Sequence, residues 1–410
     1  MCKKQTIRVY QEDVLQKSCV AVVTACRPAG EQWEVSLDRT VFFPEGGGQL
    51  SDTGTIGTAV VSHVREQEGE VWHLCDQPLE PGTTVEAALD WQVRLDHMQQ
   101  HTGEHILSHA LWSLWGANNV GFHMGDRIVT IDMDRELTDE EIAQAEQLAN
   151  QCIWEDRPVR VYEIPHTQLS SLHSRKSNEK LKGMLRIVEV EGGDICTCCG
   201  THVPHTGMVG IIKVLRQERN RGGSRIEFLC GRRALEDLEE KTRAIYAAGA
   251  LLSVKPGEVP EAVRRMKENQ TQLSARLKAQ AARLSAYRCR ELLEAAGAAE
   301  EKGGRVVCAA EEDCSPQEAK SLLQQLTAGK RTTAVVLYPN GERINYLIGK
   351  SKDAPGSCKF IAQLAGGLLS GKGGGSDLFA QGSGPFCKDW QERAESLRTA
   401  VVNYCRQQEG

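Results

Sequence analysis

The sequence predicts a multidomain α+β protein, and three observations carry that prediction. At 410 residues the chain exceeds the roughly 250–300 at which a single hydrophobic core stops growing, so three or four units are expected. The apolar period changes along it, from short runs between turn signals up to about residue 92, to helical spacing from Leu95, to an alternation of strands and helices after Gly304. Finally, a helical pair of histidines and a distant cysteine–histidine cluster fall within one α+β stretch, which marks that stretch as a metal-binding unit.

Composition narrows the class. A hydrophobic fraction of 40% and a charged fraction of 25% are ordinary for a globular protein. No apolar run approaches the ~20 residues of a membrane span, and Met1-Cys2-Lys3-Lys4-Gln5 is not followed by a signal-peptide core, so no membrane partner and a cytoplasmic address are expected. The 15 cysteines are scattered singly except at 196–199, which is not a disulfide scaffold; most are expected to be small buried hydrophobes. Charge is uneven: Lys+Arg against Asp+Glu runs 7 to 14 over residues 1–92, 19 to 23 over 93–250 and 23 to 18 over 251–410. An acidic front and a basic rear suggest that a polyanion would be gripped mainly by the rear.

Residues 1–92 look all-β. Cys19-Val20-Ala21-Val22-Val23 and Val71-Trp72-His73-Leu74 are short apolar runs, and between them lies Phe42-Phe43-Pro44-Glu45-Gly46-Gly47-Gly48-Gln49-Leu50-Ser51-Asp52-Thr53-Gly54. Three adjacent glycines suit a hairpin turn, and they also free backbone N–H groups to approach a ligand. A helix is expected over about 95–114 and a second over 139–151, where Thr138 supplies a cap and Asp139, Glu140 and Glu141 fill the acidic first turn. Strands are expected at 128–133, 186–190, 208–214 and 226–230, with a basic turn over 216–225.

Between 260 and 296, Val263, Met266, Leu273, Leu277, Leu284 and Tyr287 recur at steps of three, four and seven, which predicts a long helix or helical hairpin. Its basic residues Arg264, Arg265, Lys267, Arg276, Lys278 and Arg283 could lie along phosphates or form a solvated face. Glu301-Lys302-Gly303-Gly304 ends this linker. Segments 305–309, 315–328, 332–337 and 344–348 then read as β-α-β-β, a small α/β domain. Its Gly371-Lys372 fails the phosphate-loop spacing at the residue after the lysine, which excludes nucleotide hydrolysis on this motif.

The chemistry gathers at His101-Thr102-Gly103-Glu104-His105. Residues i and i+4 share a helix face, so both imidazoles can reach one ion. About a hundred residues later Cys196-Thr197-Cys198-Cys199-Gly200-Thr201-His202 offers thiols and a third imidazole, and this mixture suits one Zn²⁺. Residue chemistry does not choose among Cys196, Cys198 and Cys199. A competing pattern is His101-x-x-Glu104-His105, the H-x-x-E-H of inverted zinc proteases, with Glu104 as general base and Glu179, Glu189 or Glu191 as third ligand. That reading leaves the Cys-x₃-His without purpose. A third alternative is a non-catalytic, zinc-stabilised RNA-binding protein.

These residues resemble the alanyl-tRNA editing proteins of the AlaX type, in their long form, and the editing and C-terminal parts of alanyl-tRNA synthetase. The resemblance rests on Phe43-Pro44-Glu45-Gly46-Gly47-Gly48-Gln49 with Asp52-Thr53-Gly54, His101-x₃-His105, Cys198-x₃-His202 followed by Thr206-Gly207, and Arg225-Ile226-Glu227. Gly373-Gly374-Gly375-Ser376-Asp377-Leu378-Phe379-Ala380-Gln381-Gly382 is similar to the signature of the DHHA1 domain. The likeness runs nearly the whole chain in the same order and omits the ATP-using half of the synthetase. It implies a β-barrel with the Gly-rich motif over 1–92, a zinc-binding editing domain over 93–245, a helical linker or hairpin over 246–302 and a DHHA1-like nucleic-acid-binding domain over 303–410. It also selects Cys198, four positions before His202, so that His101, His105, Cys198 and His202 are the implied zinc ligands. The chain departs from the family in having Cys198-Cys199-Gly200-Thr201-His202 where Cys-Gly-Gly-Thr-His is common, and in placing Phe122 or His123 where the synthetase has a polar pocket residue.

The implied activity is deacylation of the alanine tRNA carrying serine, or glycine, in trans. An alanine-sized pocket rejects an isostere with one added hydroxyl by only about a hundredfold, whereas a second site that hydrogen-bonds the hydroxyl can reject alanine by roughly 10⁴–10⁵. Thr102, Thr201 and His123 are the polar residues available for that contact. The resemblance leaves zinc free to polarise the ester, activate water or position the terminal ribose. Glu104 and Thr201 are the catalytic candidates, with Glu104 equally suited to orient an imidazole. Gly46, Gly47, Gly48 and Gln49 would approach the terminal adenosine. Arg219, Arg221, Arg225, Arg264, Lys267 and Lys372 would hold tRNA phosphates. No obligatory protein partner is expected, and a homodimer through the C-terminal region is allowed for.

Overall fold

The computed structural model describes residues 5–172, 174–175, 182–297 and 304–408. The linker end at 301–303 and Glu179 lie outside the described residues. The chain is a multidomain α+β protein that divides into two compact units, Met1–Ala248 and Gly249–Gly410.

Six strands near the start of the first unit form one sheet: β1 (Ser18–Ala29), β2 (Gln32–Leu37), β3 (Gly54–Ile56), β4 (Ala59–Gln67), β5 (Glu70–Cys75) and β6 (Thr84–Leu89). They pair antiparallel in the order β1-β2-β5-β4-β3-β6, and β6 pairs back onto β1, so the sheet closes into a barrel without an edge. Val35, Val64 and Val71 are fully buried inside it. Between β2 and β3 the Gly-rich segment folds back on itself. Gly46 and Gln49 exchange backbone hydrogen bonds of 3.0 and 3.1 Å across Gly47 and Gly48, whose φ values of +61° and +84° favour glycine at both positions.

Helix α1 (Trp91–Trp115) follows at once and is the spine of the unit. The Asp90 side chain caps it by accepting from the Gln92 and Val93 N–H groups, and Gly116, left-handed at φ +65°, ends it. Met98, Leu107 and Leu111 are fully buried. Against it pack β7 (Asn119–Met124), β8 (Val129–Met133), α2 (Asp139–Trp154) and β13 (Gly223–Cys230), while β12 (Ile212–Asn220) packs on α2, with the strands in the order β12-β13-β8-β7. A separate sheet is formed by β9 (Val159–Pro165), β10 (Met184–Val190) and β11 (Ile195–Thr197). Thr138 and Glu141 cap α2 reciprocally, as the sequence suggests.

Three local expectations change. Residues 208–214 are not one strand: a 3₁₀ turn spans Thr206–Val209, and Gly210, at φ +82°, redirects the chain before β12 starts. The basic turn is only Arg221-Gly222, because Arg216 and Arg225 form ion pairs with Glu227 and Asp132 that extend both strands of the hairpin. Residues 119–124, left unassigned in the sequence, form β7, paired with β8.

The barrel is tied to α1 by a buried ion pair. Arg94 and Asp52 are both fully buried; the guanidinium Nε lies 3.1 Å from each carboxylate oxygen, and Nη2 also donates to the Val41 carbonyl at 2.7 Å. Asp52 accepts the Phe43 N–H as well, at 2.6 Å, which fixes the root of the Gly-rich turn.

After helix α3 (Gly231–Leu252), residues 260–295 are a single helix of the second unit rather than a hairpin, part of α4 (Val259–Ala295). A five-stranded sheet follows in the order β14 (Arg305–Ala310), β15 (Thr332–Asn340), β16 (Arg343–Lys350), β18 (Phe379–Pro385), β17 (Lys372–Gly375), covered by α5 (Pro316–Leu326), α6 (Cys358–Leu368) and α7 (Trp390–Gln407). The β-α-β-β expectation matches β14 through β16. The Gly-Lys segment is the exposed edge strand β17, so its glycines shape a sheet edge rather than a phosphate loop. Among the described residues no helix is long and apolar enough to cross a membrane.

Because Arg94 and Asp52 exclude water from each other, Arg94→Met is expected to cost about 3–5 kcal/mol by leaving a buried carboxylate unpaired. Arg94→Met combined with Asp52→Leu should recover part of that loss, as read from urea unfolding of the three proteins.

Candidate metal centre and active site

Three segments build the centre: the Gly-rich turn, the middle of α1, and the chain from Asp194 to His202. On α1 the period of 3.6 puts His101 and His105 on one face, with ring centroids 5.4 Å apart. The 194–202 segment is pinned at both ends. The Cys198 N–H donates to the Arg186 carbonyl at 3.2 Å, Arg186 Nη1 donates to the Cys198 carbonyl at 2.7 Å, and the Val203 N–H donates to Thr102 Oγ1 at 3.1 Å. These bonds bring the His202 ring to within 4.5 and 4.6 Å of His101 and His105, centroid to centroid.

His101, His105, Cys198 and His202 thereby present one donor atom each, all within 4.8 Å of one another. Cys198 Sγ lies 3.3 Å from both His101 Nε2 and His202 Nε2. A tetrahedral metal with bonds of ~2.0–2.3 Å sets its donors about 3.3–3.7 Å apart, so the residues fit such an ion with little movement. The three histidines are at most 3% exposed. Apart from an ion, the inward Nε2 atoms of His101 and His202 have the Cys198 sulfur, 3.3 Å from each, to share.

Their outward nitrogens are all engaged. His101 Nδ1 donates to Gln49 Oε1 at 2.8 Å, His105 Nδ1 donates to Asp194 Oδ2 at 3.0 Å, and His202 Nδ1 lies 3.2 Å from Thr102 Oγ1. With each Nδ1 so committed, each Nε2 is left for the centre. Gln49 also accepts the Thr201 N–H at 2.9 Å and donates to Thr201 Oγ1 at 2.8 Å. Gln49, Thr102 and Thr201 therefore frame the imidazoles and the loop.

The three thiols differ in surroundings. Burial raises the Cys198 thiol, but the imidazoles of His101 and His202 outweigh it and hold Cys198 well below the ordinary thiol value. Cys196 is raised by burial. Cys199 is exposed and also raised, chiefly by desolvation of its sulfur. Cys198 is thus the thiol set up to be a thiolate.

Glu104 faces the same cluster. Its Oε1 accepts from Ser108 Oγ and Asn119 Nδ2, each at 2.6 Å, and its Oε2 lies 3.8 Å from His105 Nε2. The third ligand needed by a zinc protease does not present itself: the Tyr162 hydroxyl donates to Glu189, Glu191 pairs with Arg160, and neither acid joins a metal-competent group among the described residues. On β7, Phe122 stacks on His101 with centroids 5.1 Å apart and planes at 27°, while His123, next along the strand, is exposed. Gly48 is required beneath Phe122, since a Cβ there would come within 2.7 Å of the ring.

Of the basic residues in this unit, Arg219 and Arg225 pair with Glu136 and Asp132, while exposed Arg221 at the hairpin tip has no ion pair among the described residues. In the second unit Arg264 pairs with Glu261, and Lys267 and Lys372 are exposed.

The sequence reading missed Asp194, Arg175, Asn119 and the framing role of Gln49. A signal for Asp194 existed: residues 194, 196 and 198 alternate along an extended segment and so share a face. Gly200 is the tightest point, because an added Cβ would overlap the His101 ring and meet Gln49 Oε1. Gly200→Ala should accordingly weaken metal binding by about 10–100-fold, the usual cost of disturbing a ligand's support, as measured by chelator competition.

Comparison with known proteins gives the family of the chain. Residues 185–227 match the family model described as threonyl and alanyl tRNA synthetase second additional domain. The chain is 32% identical over 389 residues to the alanyl-tRNA editing protein AlaX-L of Pyrococcus horikoshii, covering 92% of this chain and 94% of that protein. It is 32% identical over 280 residues to mouse alanyl-tRNA editing protein Aarsd1, covering 64% of this chain and 68% of the mouse protein. Against the alanine–tRNA ligase of Pyrococcus furiosus it is 31% identical over 391 residues, covering 90% of this chain but 41% of the ligase. With its histidine pair, its cysteine–histidine loop and its Gly-rich turn meeting at one centre, this chain belongs to the alanyl-tRNA editing proteins.

Proposed function

We propose that this protein is a zinc-dependent aminoacyl-tRNA deacylase that acts in trans on the alanine tRNA carrying serine, and on the glycine ester as a second substrate. The carrying observation is the convergence of His101, His105, Cys198 and His202 on one point, in a chain whose relatives are alanyl-tRNA editing proteins. A mixed nitrogen and sulfur set of four favours zinc over harder cations.

Bound there, zinc would supply a Lewis acid able to polarise the ester, activate water or hold the terminal ribose. The chain's own residues supply the rest. Four protein donors fill a tetrahedron, which favours positioning the acylated end, or exchange of one donor, over a permanently open coordination position. Glu104, 3.8 Å from His105 Nε2 and held by Ser108 and Asn119, would be the carboxylate that accepts a proton from an attacking water. The backbone of Gly46 and Gly47 is free of side chains that would block a nucleotide, Gly48 is covered by Phe122, and Gln49 holds His101 in place.

Selectivity would come from a hydroxyl partner. Thr102 Oγ1 accepts from the Val203 N–H and, with Nε2 of His202 turned to the zinc, from His202 Nδ1–H, so its own proton is what it would offer a hydroxyl, whereas His123 is exposed on the opposite face of β7 from Phe122. Arg221, Lys267 and Lys372 are exposed and form no ion pair among the described residues, so they would be available to meet phosphate.

Purified protein mixed with the alanine tRNA charged with serine, glycine or alanine tests the reading through the rate of ester loss. Serine should be released at least 10³-fold faster than alanine, and Cys198→Ala should abolish release together with bound zinc. An unchanged serine ester would overturn the deacylase reading and leave a zinc-stabilised RNA-binding protein. Glu104→Gln should retain zinc and lower the rate by about 10²–10⁴-fold if Glu104 handles the proton.

A further inference from the structure

The three imidazoles of the centre are held by unlike partners. Gln49 and Thr102 are neutral; Asp194, on His105, is the one carrying charge. Its side chain is 0% exposed, and a carboxylate removed from water in that way persists only when several donors serve it. Besides His105 Nδ1 at 3.0 Å, it receives Arg175 Nε at 2.8 Å and Arg175 Nη2 at 3.2 Å. Arg175 is itself 4% exposed, donates its backbone N–H to the Ile195 carbonyl at 3.2 Å, and lies 4.0 Å from Glu104. The site thus contains a buried chain of charges, Glu104, Arg175 and Asp194, ending on one metal-facing imidazole.

A second group competes for the same nitrogen. Cys196 Sγ lies 3.3 Å from His105 Nδ1, and His105, Asp194 and Cys196 form their own metal-competent trio. If an ion sat in that trio, it would bind His105 through Nδ1 and lie against the Arg175 guanidinium, whose positive charge opposes it. Arg175 therefore favours a proton over a cation at His105 Nδ1.

Resting on the zinc reading above, we infer that Asp194 is a positioning residue: by accepting the Nδ1–H of His105 and being fixed by Arg175, it turns Nε2 of that ring to the zinc and keeps Cys196 out of the coordination. The charges then balance. Zinc with the Cys198 thiolate carries one net positive charge, Asp194 and Glu104 carry two negative and Arg175 one positive, so the buried assembly is neutral.

Zinc affinity by chelator competition and the visible bands of the cobalt-substituted full-length protein test this without reference to deacylation. Asp194→Ala is expected to weaken zinc by about 10–100-fold and to shift the cobalt bands. Asp194→Asn, which keeps the shape and one accepting oxygen, should fall between it and the unaltered protein. It also carries the test should Asp194→Ala leave Arg175 unpaired and fail to fold, judged by near-ultraviolet circular dichroism. Cys196→Ala should bind zinc within about twofold of the unaltered protein with unchanged cobalt bands. Folded Asp194 variants with unaltered affinity and spectra would overturn the assignment, as would a tenfold loss in Cys196→Ala, which would make that thiol a ligand. Failure of the unaltered protein to bind zinc would instead remove the metal reading beneath it.

Discussion

Burying three imidazoles side by side creates six ring nitrogens that water cannot serve, and the first unit is arranged around satisfying them. Three nitrogens face one another and the Cys198 sulfur; the other three each find a separate partner, Gln49, Asp194 or Thr102. The contrast with His97, one turn earlier on the same helix, is instructive. Its Nδ1 has no partner among the described residues, and burial lowers its affinity for a proton. One unsatisfied nitrogen can be tolerated at a cost of a few kcal/mol; three converging ones would cost several times that. The proposed zinc is the natural recipient of the inward three.

The demand for partners explains why the barrel and the α+β part are one unit. Gln49 stands on a glycine turn between barrel strands, yet its amide serves His101 and Thr201. A turn can deliver a side chain that accurately only if its root is fixed, and the buried Arg94–Asp52 pair fixes it. The glycines follow from the same closeness. Gly48 lies under Phe122, Gly103 lies against Cys230, and Gly200 lies against His101, places where a Cβ has no room.

The second unit has a different construction. Its sheet and helices carry their own core around Tyr346, Ile348, Ile361 and Leu397, while most of α4 is exposed. Val263, Met266, Leu273, Leu277, Leu284 and Tyr287, the apolar stripe seen in the sequence, are all at least 37% exposed within the chain. Helical propensity and the internal pairs Arg264–Glu261 and Arg288–Glu291 help to hold such a helix, with few tertiary contacts to assist.

The sequence by itself determined the features that depend on local period and local chemistry. The i, i+4 step of His101 and His105 marked their common helix face, Thr138 and Glu141 marked a capped start, and short apolar runs marked the strands around Val23 and Val71. The Cys198-x₃-His202 spacing marked the second half of the centre. What only the tertiary structure decided was the identity of long-range partners: that Gln49 meets His101 across 52 residues, that Asp194 meets His105, and that Arg225 is consumed by Asp132. Hydrogen bonds and ion pairs between distant segments leave no periodic trace in a sequence. They are set by how sheets and helices pack, so a residue's neighbours can be known only once the chain has closed around them.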